Sequence, residues 1–492
     1  MTATEQASSI DKLPSGALLI GDEWVTGASG GLYEHVYAAT GRVNATIEMA
    51  GEPEIDRAVA SSWDAHRQWM SLTVDRRRDL MIDLADAVHE HTDELTRLNV
   101  HDYAVPLTSS PVHPAQLERF LRYYAGFVDK AHGLSTPVSL LDDLNIVERE
   151  PYGVVGVIIP WNGPMYVIGM AVAPALAAGN AVVLKPPELA PLSSLRFGEI
   201  CLEVGLPPGL VNVLPGGPEA GDALVRHPGI RKVHFTGGGP TARKITVAAS
   251  ANLTPVVTEL GGKSANLVFA DADLEAAAQL AAFQGPLGQS GQSCACGSRI
   301  LVQDSVYDAF MEKFIAAVEG APVGDPFDPS IMVGPVISQG AADRIIGVID
   351  QAVEERMGEL VTGGKRMAGD LADGFYIAPT VFAGVDNHAP LAELETFGPV
   401  VSVMRFKDED EAVRTANDTD YGLNAFIQTT NLTRAHRVAR QLEAGSVWVN
   451  SGSDIIPQGP YGGYKQSGVG RAGGVEGLNE FQQVKNIRIA MD

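Results

Sequence analysis

Cys294 is the residue of this chain that most directly predicts chemistry. It lies in a glycine-rich segment, 285–299, between small neighbours that include Ser293 and Ala295. A thiol with so little side-chain volume around it leaves room for a substrate carbon, whereas a structural cysteine more often packs inside an apolar helix or strand. We therefore expect Cys294 to act as a nucleophile, with a buried structural role as the alternative.

Six other short motifs carry polar residues, glycines or prolines and follow one another along the chain. They are Pro160-Trp161-Asn162, Lys185-Pro186-Pro187-Glu188, Phe235-Thr236-Gly237-Gly238, Glu259-Leu260-Gly261-Gly262-Lys263, Glu395-Thr396-Phe397-Gly398-Pro399-Val400 and Pro460-Tyr461-Gly462-Gly463. Each motif alone is weak evidence. The first four stand at the ends of predicted strands, where a binding site is expected.

Residues 152–262 contain the elements that position those four motifs. Runs rich in β-branched residues predict strands at 154–159, 181–184, 210–214, 232–236 and 256–260, and helical patterns occur at 165–178, 193–204, 219–227 and 241–250. This alternation predicts an α/β fold with a parallel sheet covered on both faces. Such sheets bind ligands at the carboxyl ends of their strands. A second α/β stretch is predicted from about residue 264.

Composition limits the class of protein. The 492 residues carry 60 acidic and 36 basic side chains, and the net charge of −24 argues against binding a nucleic acid or an anionic membrane. Three cysteines are too few for a disulfide framework, and no metal site is predicted. The polar N-terminus lacks the apolar core of a signal peptide, and the apolar stretch 165–178 is too short to cross a bilayer. We expect a cytoplasmic protein.

In these motifs the chain resembles the aldehyde dehydrogenase superfamily, in its hydrolytic, NAD(P)-dependent branch. The resemblance covers residues 17–487 and is carried mainly by the motifs at 259–263, 291–294 and 395–400. It implies a Rossmann-like NAD-binding domain at 1–130 and 152–262 and an α/β catalytic domain at 263–470. It also implies a small β oligomerisation arm at 131–151 and 471–492, and with it a homodimer or homotetramer.

The resemblance implies NAD-dependent oxidation of an aldehyde to the carboxylic acid, with three catalytic residues. Cys294 would attack the aldehyde to form a thiohemiacetal, and loss of hydride would give a thioester. The side chain of Asn162 and the backbone N–H of Cys294 would hold the developing alkoxide. Glu259 would activate the water that hydrolyses the thioester. Their residue types alone also allow a plain turn at Asn162 and a capping or salt-bridged role for Glu259.

The cofactor that the resemblance implies is NAD, with NADP less favoured. Lys185 and Glu188 match residues that hold the adenosine ribose, where a carboxylate repels a 2′-phosphate. Gly238 replaces the serine that is usual in the family, which removes one contact to the pyrophosphate and leaves the backbone N–H groups. The implied cofactor-binding set is Ile158, Ile159, Pro160, Trp161, Lys185, Glu188, Phe235, Thr236, Gly237, Gly238, Leu260, Gly261, Glu395 and Phe397.

The residues that match the family's substrate tunnel are mostly small or apolar. They are Gly163, Met170, Ser293, Ala295, Ile455, Ile456 and Tyr461. Gly163 stands where the family often has an aromatic residue, and no arginine matches those that bind carboxylate tails. We expect a roomy apolar tunnel and a bulky neutral aldehyde, which is aromatic, terpenoid or medium-chain aliphatic.

Two alternatives stay open at this point. A CoA-acylating semialdehyde dehydrogenase has the same fold and transfers the acyl group to CoA. That branch commonly lacks the base that Glu259 provides here. A non-catalytic binding protein of the same fold needs none of Cys294, Glu259, Asn162 and Glu395. Of the other two cysteines, we assign Cys201 to packing in a helix and expect Cys296 to point away from the reacting centre.

Overall fold

The computed structural model describes residues 13–130, 132–138 and 143–490. The polar N-terminal stretch and parts of the predicted arm segments (131, 139–142 and 491–492) lie outside the described residues. Within those ranges, no helix combines the length and the apolar character needed to cross a membrane.

The N-terminal part consists of short antiparallel strands followed by helices. Its elements are β1 (Leu18–Ile20), β2 (Glu23–Val25), β3 (Leu32–Tyr37), β4 (Arg42–Glu48), α1 (Glu52–Ser71), α2 (Val74–Glu90), α3 (Thr92–Tyr103) and α4 (Val112–Ala125). The Glu54 side chain caps the start of α1 by accepting the Gly51 N–H at 2.9 Å. Trp69 is fully buried, and its indole N–H donates to the Leu176 carbonyl at 3.1 Å. These contacts attach α1 to the core beneath it.

The next part alternates strands and helices as predicted. It contains β5 (Leu134–Ser135), β6 (Asp143–Pro151), β7 (Val154–Ile158), α5 (Pro164–Ala178), β8 (Ala181–Lys185), α6 (Leu192–Glu203), β9 (Val211–Val213), α7 (Pro218–Arg226), β10 (Lys232–Gly237), α8 (Gly239–Ala249) and β11 (Val256–Leu260). The strands β7 to β11 pair in parallel. The predicted α/β fold is confirmed, and the ends of these elements differ from prediction by at most two residues.

The remaining residues form a second α/β unit and a C-terminal strand. Their elements are β12 (Ala265–Val268), α9 (Leu274–Ala282), β13 (Arg299–Gln303), α10 (Tyr307–Glu319), α11 (Gln339–Glu354), β14 (Glu359–Thr362), β15 (Thr380–Ala383), α12 (Pro390–Glu393), β16 (Val400–Phe406), α13 (Glu409–Asn417), β17 (Asn424–Gln428), α14 (Leu432–Ala439), β18 (Ser446–Val449), β19 (Gly468–Val469), α15 (Gly474–Asn479) and β20 (Gln482–Ala490).

The strands assemble into two large sheets and two small ones. The first large sheet has the order β19-β11-β10-β7-β8-β9-β1-β2, and the second has the order β14-β15-β16-β13-β12-β17-β18. A three-stranded sheet has the order β20-β6-β5, and β3 pairs with β4. In the first sheet the strand order reverses at β7, which lies between β8 and β10. An open parallel sheet binds its ligands at such a reversal.

The predicted division of the chain into an NAD-binding domain, a catalytic domain and an arm stays a prediction. One pairing crosses the predicted boundaries. β19 falls in the stretch assigned to the catalytic domain, yet it pairs antiparallel with β11 of the first sheet, with Thr258 opposite Val469 and Glu259 opposite Gly468. The first sheet is therefore completed by residues far along the chain.

Candidate active site

Four strands of the first sheet end at one edge and deliver the predicted motifs there. Ile158 at the end of β7 lies opposite Lys185 at the end of β8, and it also pairs with Phe235 in β10. At the other side of β10, Gly237 pairs with Leu260 at the end of β11. Because parallel strands end together, the segments that follow them share one space beyond the sheet.

The segment that carries Cys294 is wound into irregular helical turns, and it is less open than a glycine-rich loop suggests. After α9 the backbone forms a π-type turn at Phe283–Leu287 and a short turn at Gly288–Gly291. Gln289 and Ser290 are both left-handed, with φ of 49° and 55°. A Cβ at Gly291, where φ is 67°, would collide with the Gly398 carbonyl. These turns place Gly291, three residues before the predicted nucleophile, against the backbone of Gly398.

Hydrogen bonds to residues 334–337 hold this strained segment in place. The Ser290 hydroxyl donates to the Gly334 carbonyl at 2.7 Å. The Gln292 side chain accepts the Ile337 N–H at 2.8 Å and donates to the Pro335 carbonyl at 3.3 Å. Gln292 therefore fixes the backbone two residues before Cys294, a role that its place in the sequence motif did not reveal.

Cys294 is the least buried of the three thiols. It is half-buried, while Cys296 and Cys201 are 8 % and 2 % exposed. Burial raises the pKa of Cys294 to about 11, the carboxylates of Glu395 and Glu259 add to that rise, and a hydrogen bond from Tyr461 opposes it. The Cys296 thiol instead donates to the Gly285 carbonyl at 3.3 Å, and its pKa is raised to about 12, chiefly by burial.

Asn162 reaches the cysteine segment through a direct hydrogen bond. Its Nδ2 donates to the Gln292 carbonyl at 2.9 Å. The structure thus brings together β7, which leads into Asn162, and the turn that carries Cys294. The same amide nitrogen has a second N–H.

Glu259 is a buried carboxyl with no hydrogen bond. It is 3 % exposed, and neither carboxylate oxygen has a partner among the described residues. Burial raises its pKa well above the usual range, Arg471 opposes that rise and Glu480 adds to it. A Cβ at Gly462 would lie 2.7 Å from Glu259 Oε1, so the carboxyl packs directly against the backbone next to Tyr461.

Glu395 and Phe397 connect the second sheet to the same space. Glu395 Oε1 accepts the Gly262 N–H at 3.1 Å, and burial raises the pKa of this carboxyl to about 7. Phe397 has φ of 49° and meets the ring of Trp161 edge-on, with ring centroids 5.5 Å apart. Two motifs separated by more than 200 residues are therefore in contact.

Lys185 and Glu188 lie at the end of β8. Lys185 is buried, and its Nζ donates to the carbonyls of Gly216 and Pro186. Burial lowers the pKa of this lysine to about 8, and the charge of Glu188 opposes that shift. The Glu188 charge also contributes to the raised pKa of half-buried Tyr33 on β3, a neighbour that sequence analysis did not identify.

The turn between β10 and α8 is open at its centre. Gly238 is exposed, and a Cβ built on it would meet only Pro240, at 4.0 Å. Eleven-residue α8 begins at Gly239, so the positive end of its dipole faces this turn. Pro240 has no backbone N–H, and this removes one of the donors that we expected to remain there.

The predicted tunnel residues fall into two groups. Tyr461 is next to Cys294, with 3.9 Å between Oη and Sγ, and Ser293 and Ala295 flank the thiol in the chain. Gly163 precedes α5, where an added Cβ would lie 3.7 Å from both His113 and Tyr166.

Tyr166 donates to the Ile455 carbonyl at 3.4 Å, which joins the start of α5 to the 455–456 segment. Met170 is buried in the core, while Ile456 is 37 % exposed. Tyr166 and Met170 lie three and seven residues after Gly163, a helical spacing that could have identified Tyr166. No sequence pattern indicated His113.

Arg119 is a basic residue near the 455–456 segment that sequence analysis did not identify. It lies on α4 and forms an ion pair with Asp454 at 4.0 Å. The Gln116 amide also approaches Asp454, at 3.5 Å. The arginine charge is therefore balanced by the residue that precedes Ile455.

Comparison with known proteins gives a consistent picture. The protein-family model of the aldehyde dehydrogenase family matches residues 24–487. A betaine aldehyde dehydrogenase from Staphylococcus aureus, solved as a point mutant in complex with NAD+, is 36 % identical with a TM-score of 0.95, over 98 % of each chain. Another structure of that enzyme with NAD+ is 35 % identical, with a TM-score of 0.96, over 99 % of this chain and 97 % of that one. A Burkholderia cenocepacia chain assigned to the aldehyde dehydrogenases is 38 % identical, with a TM-score of 0.95, over 98 % of each chain.

The difference in burial among the three thiols predicts selective labelling. In the folded protein a disulfide reagent such as dithionitrobenzoate should modify Cys294 alone, faster as the pH rises toward the thiol pKa, because the thiolate is the reacting form. Cys294→Ser should remove the labelling, and unfolding in guanidinium should expose all three thiols. Rapid labelling of two or more thiols in the native protein would contradict this assignment.

Proposed function

The chain belongs to the aldehyde dehydrogenase family and is an NAD-dependent aldehyde dehydrogenase, and on that basis we propose that Cys294 is its nucleophile and a bulky apolar aldehyde its substrate. The observation that carries the proposal is the convergence of Cys294, Glu259 and Glu395. These groups come from different parts of the chain, yet Glu259 packs against Gly462, beside the tyrosine that contacts the Cys294 thiol. Glu395 binds the N–H of Gly262, which lies next to the Cys294 carbonyl.

We assign the first step to Cys294 and Asn162. The Cys294 thiol first loses its proton to solvent. The thiolate then attacks the carbonyl carbon, a C–S bond forms, and the carbonyl π electrons move onto oxygen. One N–H of the Asn162 amide holds the Gln292 carbonyl. The second N–H, together with the Cys294 backbone N–H, is proposed to stabilise the alkoxide of the thiohemiacetal. Each such donor is worth about 3 kcal/mol in related sites.

The residues at the sheet edge fit a dinucleotide. The turn at Gly238 has open space around it and faces the N-terminus of α8, which suits a pyrophosphate. Lys185 and Glu188 would hold the adenosine ribose, and Glu395 the nicotinamide ribose. Trp161 and Phe397 would flank the ring. When bound, NAD supplies the acceptor for the hydride that leaves the thiohemiacetal carbon.

We assign the hydrolytic step to Glu259. After hydride transfer the acyl group is held as a thioester on Cys294, and water must be deprotonated to attack it. Burial favours the neutral form of Glu259, which makes its carboxylate a stronger base than an exposed one. The carboxylate accepts a proton from water, hydroxide adds to the thioester, and the C–S bond breaks to release the acid.

The substrate proposal depends on the residues along the predicted tunnel. Gly163 has no side chain at the start of α5, and Cys294, Ile455, Trp448 and Tyr166 pack at the margin of one apolar core. The charge of Arg119 is balanced by Asp454, so this arginine does not offer a free cation to the carboxylate tail of a substrate. These features favour an aromatic, terpenoid or medium-chain aliphatic aldehyde.

Steady-state kinetics with a panel of aldehydes test the substrate class. We expect kcat/KM for benzaldehyde, a terpenoid aldehyde or octanal to exceed that for acetaldehyde by about tenfold or more, because each buried methylene adds about 0.8 kcal/mol. Succinic semialdehyde serves as the charged control. Betaine aldehyde, which appears in the names of the Staphylococcus relatives, should also be a poor substrate. A preference for any of these three small or charged aldehydes would refute the proposed class.

Glu259→Gln tests the role of the buried carboxyl. We expect kcat to fall by at least about a hundredfold, since a general base contributes about 10² to 10⁴. Rapid mixing should still show a burst of about one NADH per site, because the steps before hydrolysis do not need Glu259. In the wild type, the hydrolytic rate should rise with pH through the raised pKa of Glu259.

Loss of the burst together with kcat would show that Glu259 acts before hydride transfer. The same assay with added CoA distinguishes the hydrolytic enzyme from the CoA-acylating alternative. If acyl-CoA rather than the free acid accumulates in the wild type, the enzyme belongs to the CoA-acylating branch.

Glu188→Gln tests the preference for NAD over NADP. The substitution keeps an acceptor for ribose hydroxyls and removes the charge that would repel a 2′-phosphate. We expect the ratio of kcat/KM for NADP to that for NAD to rise by about fivefold, because the substitution removes one repulsion of about 1 kcal/mol near the surface. Glu312→Gln, an exposed position on α10, is the control. An unchanged ratio would place Glu188 away from the ribose.

We also propose that the enzyme is a homodimer or homotetramer assembled through the sheet of β20 and β6. Within the described residues β20 pairs along its length with β6 on one edge only, and Val484 and Ile489 are 62 % and 45 % exposed. Light scattering should give two or four times the 52.0 kDa of one chain. Ile489→Lys should reduce that mass and Leu432→Lys, on α14, should not. A monomer would contradict the proposal.

A cytoplasmic location stays a prediction from sequence.

A further inference from the structure

Tyr461 places a hydroxyl beside the nucleophile. Its side chain is 4 % exposed, and Oη lies 3.9 Å from Cys294 Sγ. The backbone of Tyr461 is fixed by two hydrogen bonds with Ala472, at 2.6 and 2.7 Å. The phenol therefore meets the thiol from a rigid position.

Asn424 fixes the orientation of that hydroxyl. It is the first residue of β17, is 3 % exposed, and donates from Nδ2 to Tyr461 Oη at 3.3 Å. Because an amide N–H can only donate, Tyr461 Oη is the acceptor in this contact. Its own O–H is then free to point to Sγ.

The chemistry of the pair sets the direction of the second hydrogen bond. Burial, with the nearby Cys294, holds the pKa of Tyr461 well above its usual value, so the phenol keeps its proton at working pH. A thiolate has no proton to donate. Once Cys294 ionises, the hydrogen bond runs from Tyr461 O–H to sulfur, and charge on the acceptor shortens and strengthens it.

We propose that Tyr461 is a catalytic residue that donates a hydrogen bond to the Cys294 thiolate, and that Asn424 is the residue that positions it. The inference rests on the proposed role of Cys294 and adds a stabilising donor to it. Tyr461 keeps its proton throughout and forms no covalent bond. The neutral donor matters because the thiolate forms close to Glu395 and Glu259, whose negative charges oppose it.

The test uses the whole protein with neither aldehyde nor NAD. Iodoacetamide alkylation of Cys294 is followed from pH 6.5 to pH 10 in wild type and in Tyr461→Phe, which keeps the ring and removes the hydroxyl. We expect loss of the hydrogen bond to raise the pKa of the Cys294 thiol by about one unit. At each pH in that range, which lies below the thiol pKa of about 11, alkylation should be about threefold slower, because the tenfold loss of thiolate is partly offset by its greater nucleophilicity.

Asn424→Ala should move the profile in the same direction by less. The double variant should move it no further than Tyr461→Phe alone, because Asn424 acts through the hydroxyl. Tyr124→Phe is the matched control. It removes another buried tyrosine hydroxyl, one that donates to the Gly474 carbonyl at 3.0 Å, and should leave alkylation unchanged. Circular dichroism verifies that each variant is folded.

An alkylation profile of Tyr461→Phe that coincides with wild type would overturn the proposal. So would additive shifts in the double variant, which would give Asn424 a role of its own. The readout is the chemistry of one thiol, so it is independent of the substrate. Absence of aldehyde oxidation by the wild type would refute the proposed function and leave this result standing.

Discussion

The site depends on one electrostatic constraint, which is that three acidic groups share a space with little water. Cys294, Glu259 and Glu395 all have pKa values raised by burial, and the carboxylates raise that of the thiol further. Two negative charges close together in a buried site are unfavourable. Ionisation of either carboxyl therefore opposes ionisation of the Cys294 thiol. Neutral donors such as Tyr461 and Asn162 can stabilise whichever anion is present without adding a fixed charge.

The backbone around Cys294 is strained, and its surroundings hold it in place. Left-handed residues other than glycine are unfavourable by about 1 to 3 kcal/mol each, and two of them, Gln289 and Ser290, stand side by side. The hydrogen bonds of Ser290 and Gln292 to residues 334–337 oppose relaxation of this turn. Asn162 adds a further bond from the first sheet. The sulfur is thus positioned by contacts from the 334–337 segment and from the residue that follows β7.

Much of this architecture could be predicted from sequence, for physical reasons. Buried parallel strands are short apolar runs, so β7 to β11 and their helices were identified to within two residues. The neighbours of Cys294 were recognisable because small residues and a rare cysteine coincide. Contacts between segments that are distant in the chain produce no comparable pattern in the sequence. Asn424 begins a strand whose next three residues are apolar, and nothing local indicates that its amide meets Tyr461, 37 residues later. Pro240 can be read from the sequence. Its lack of an N–H affects the expected pyrophosphate turn only because the structure places it in the first turn of α8.

The pairing of β20 with β6 has a consequence for how the chain folds as it is made. Residues 482–490 are synthesised more than 300 residues after their partners, 143–151. The first sheet likewise receives β19 only after residue 469 has been added. Until then the open edges of β6 and β11 are available to other chains, and such edges promote aggregation. Complete folding must therefore wait until residues 482–490 have left the ribosome, and chaperones that shield strand edges should improve the yield of native enzyme.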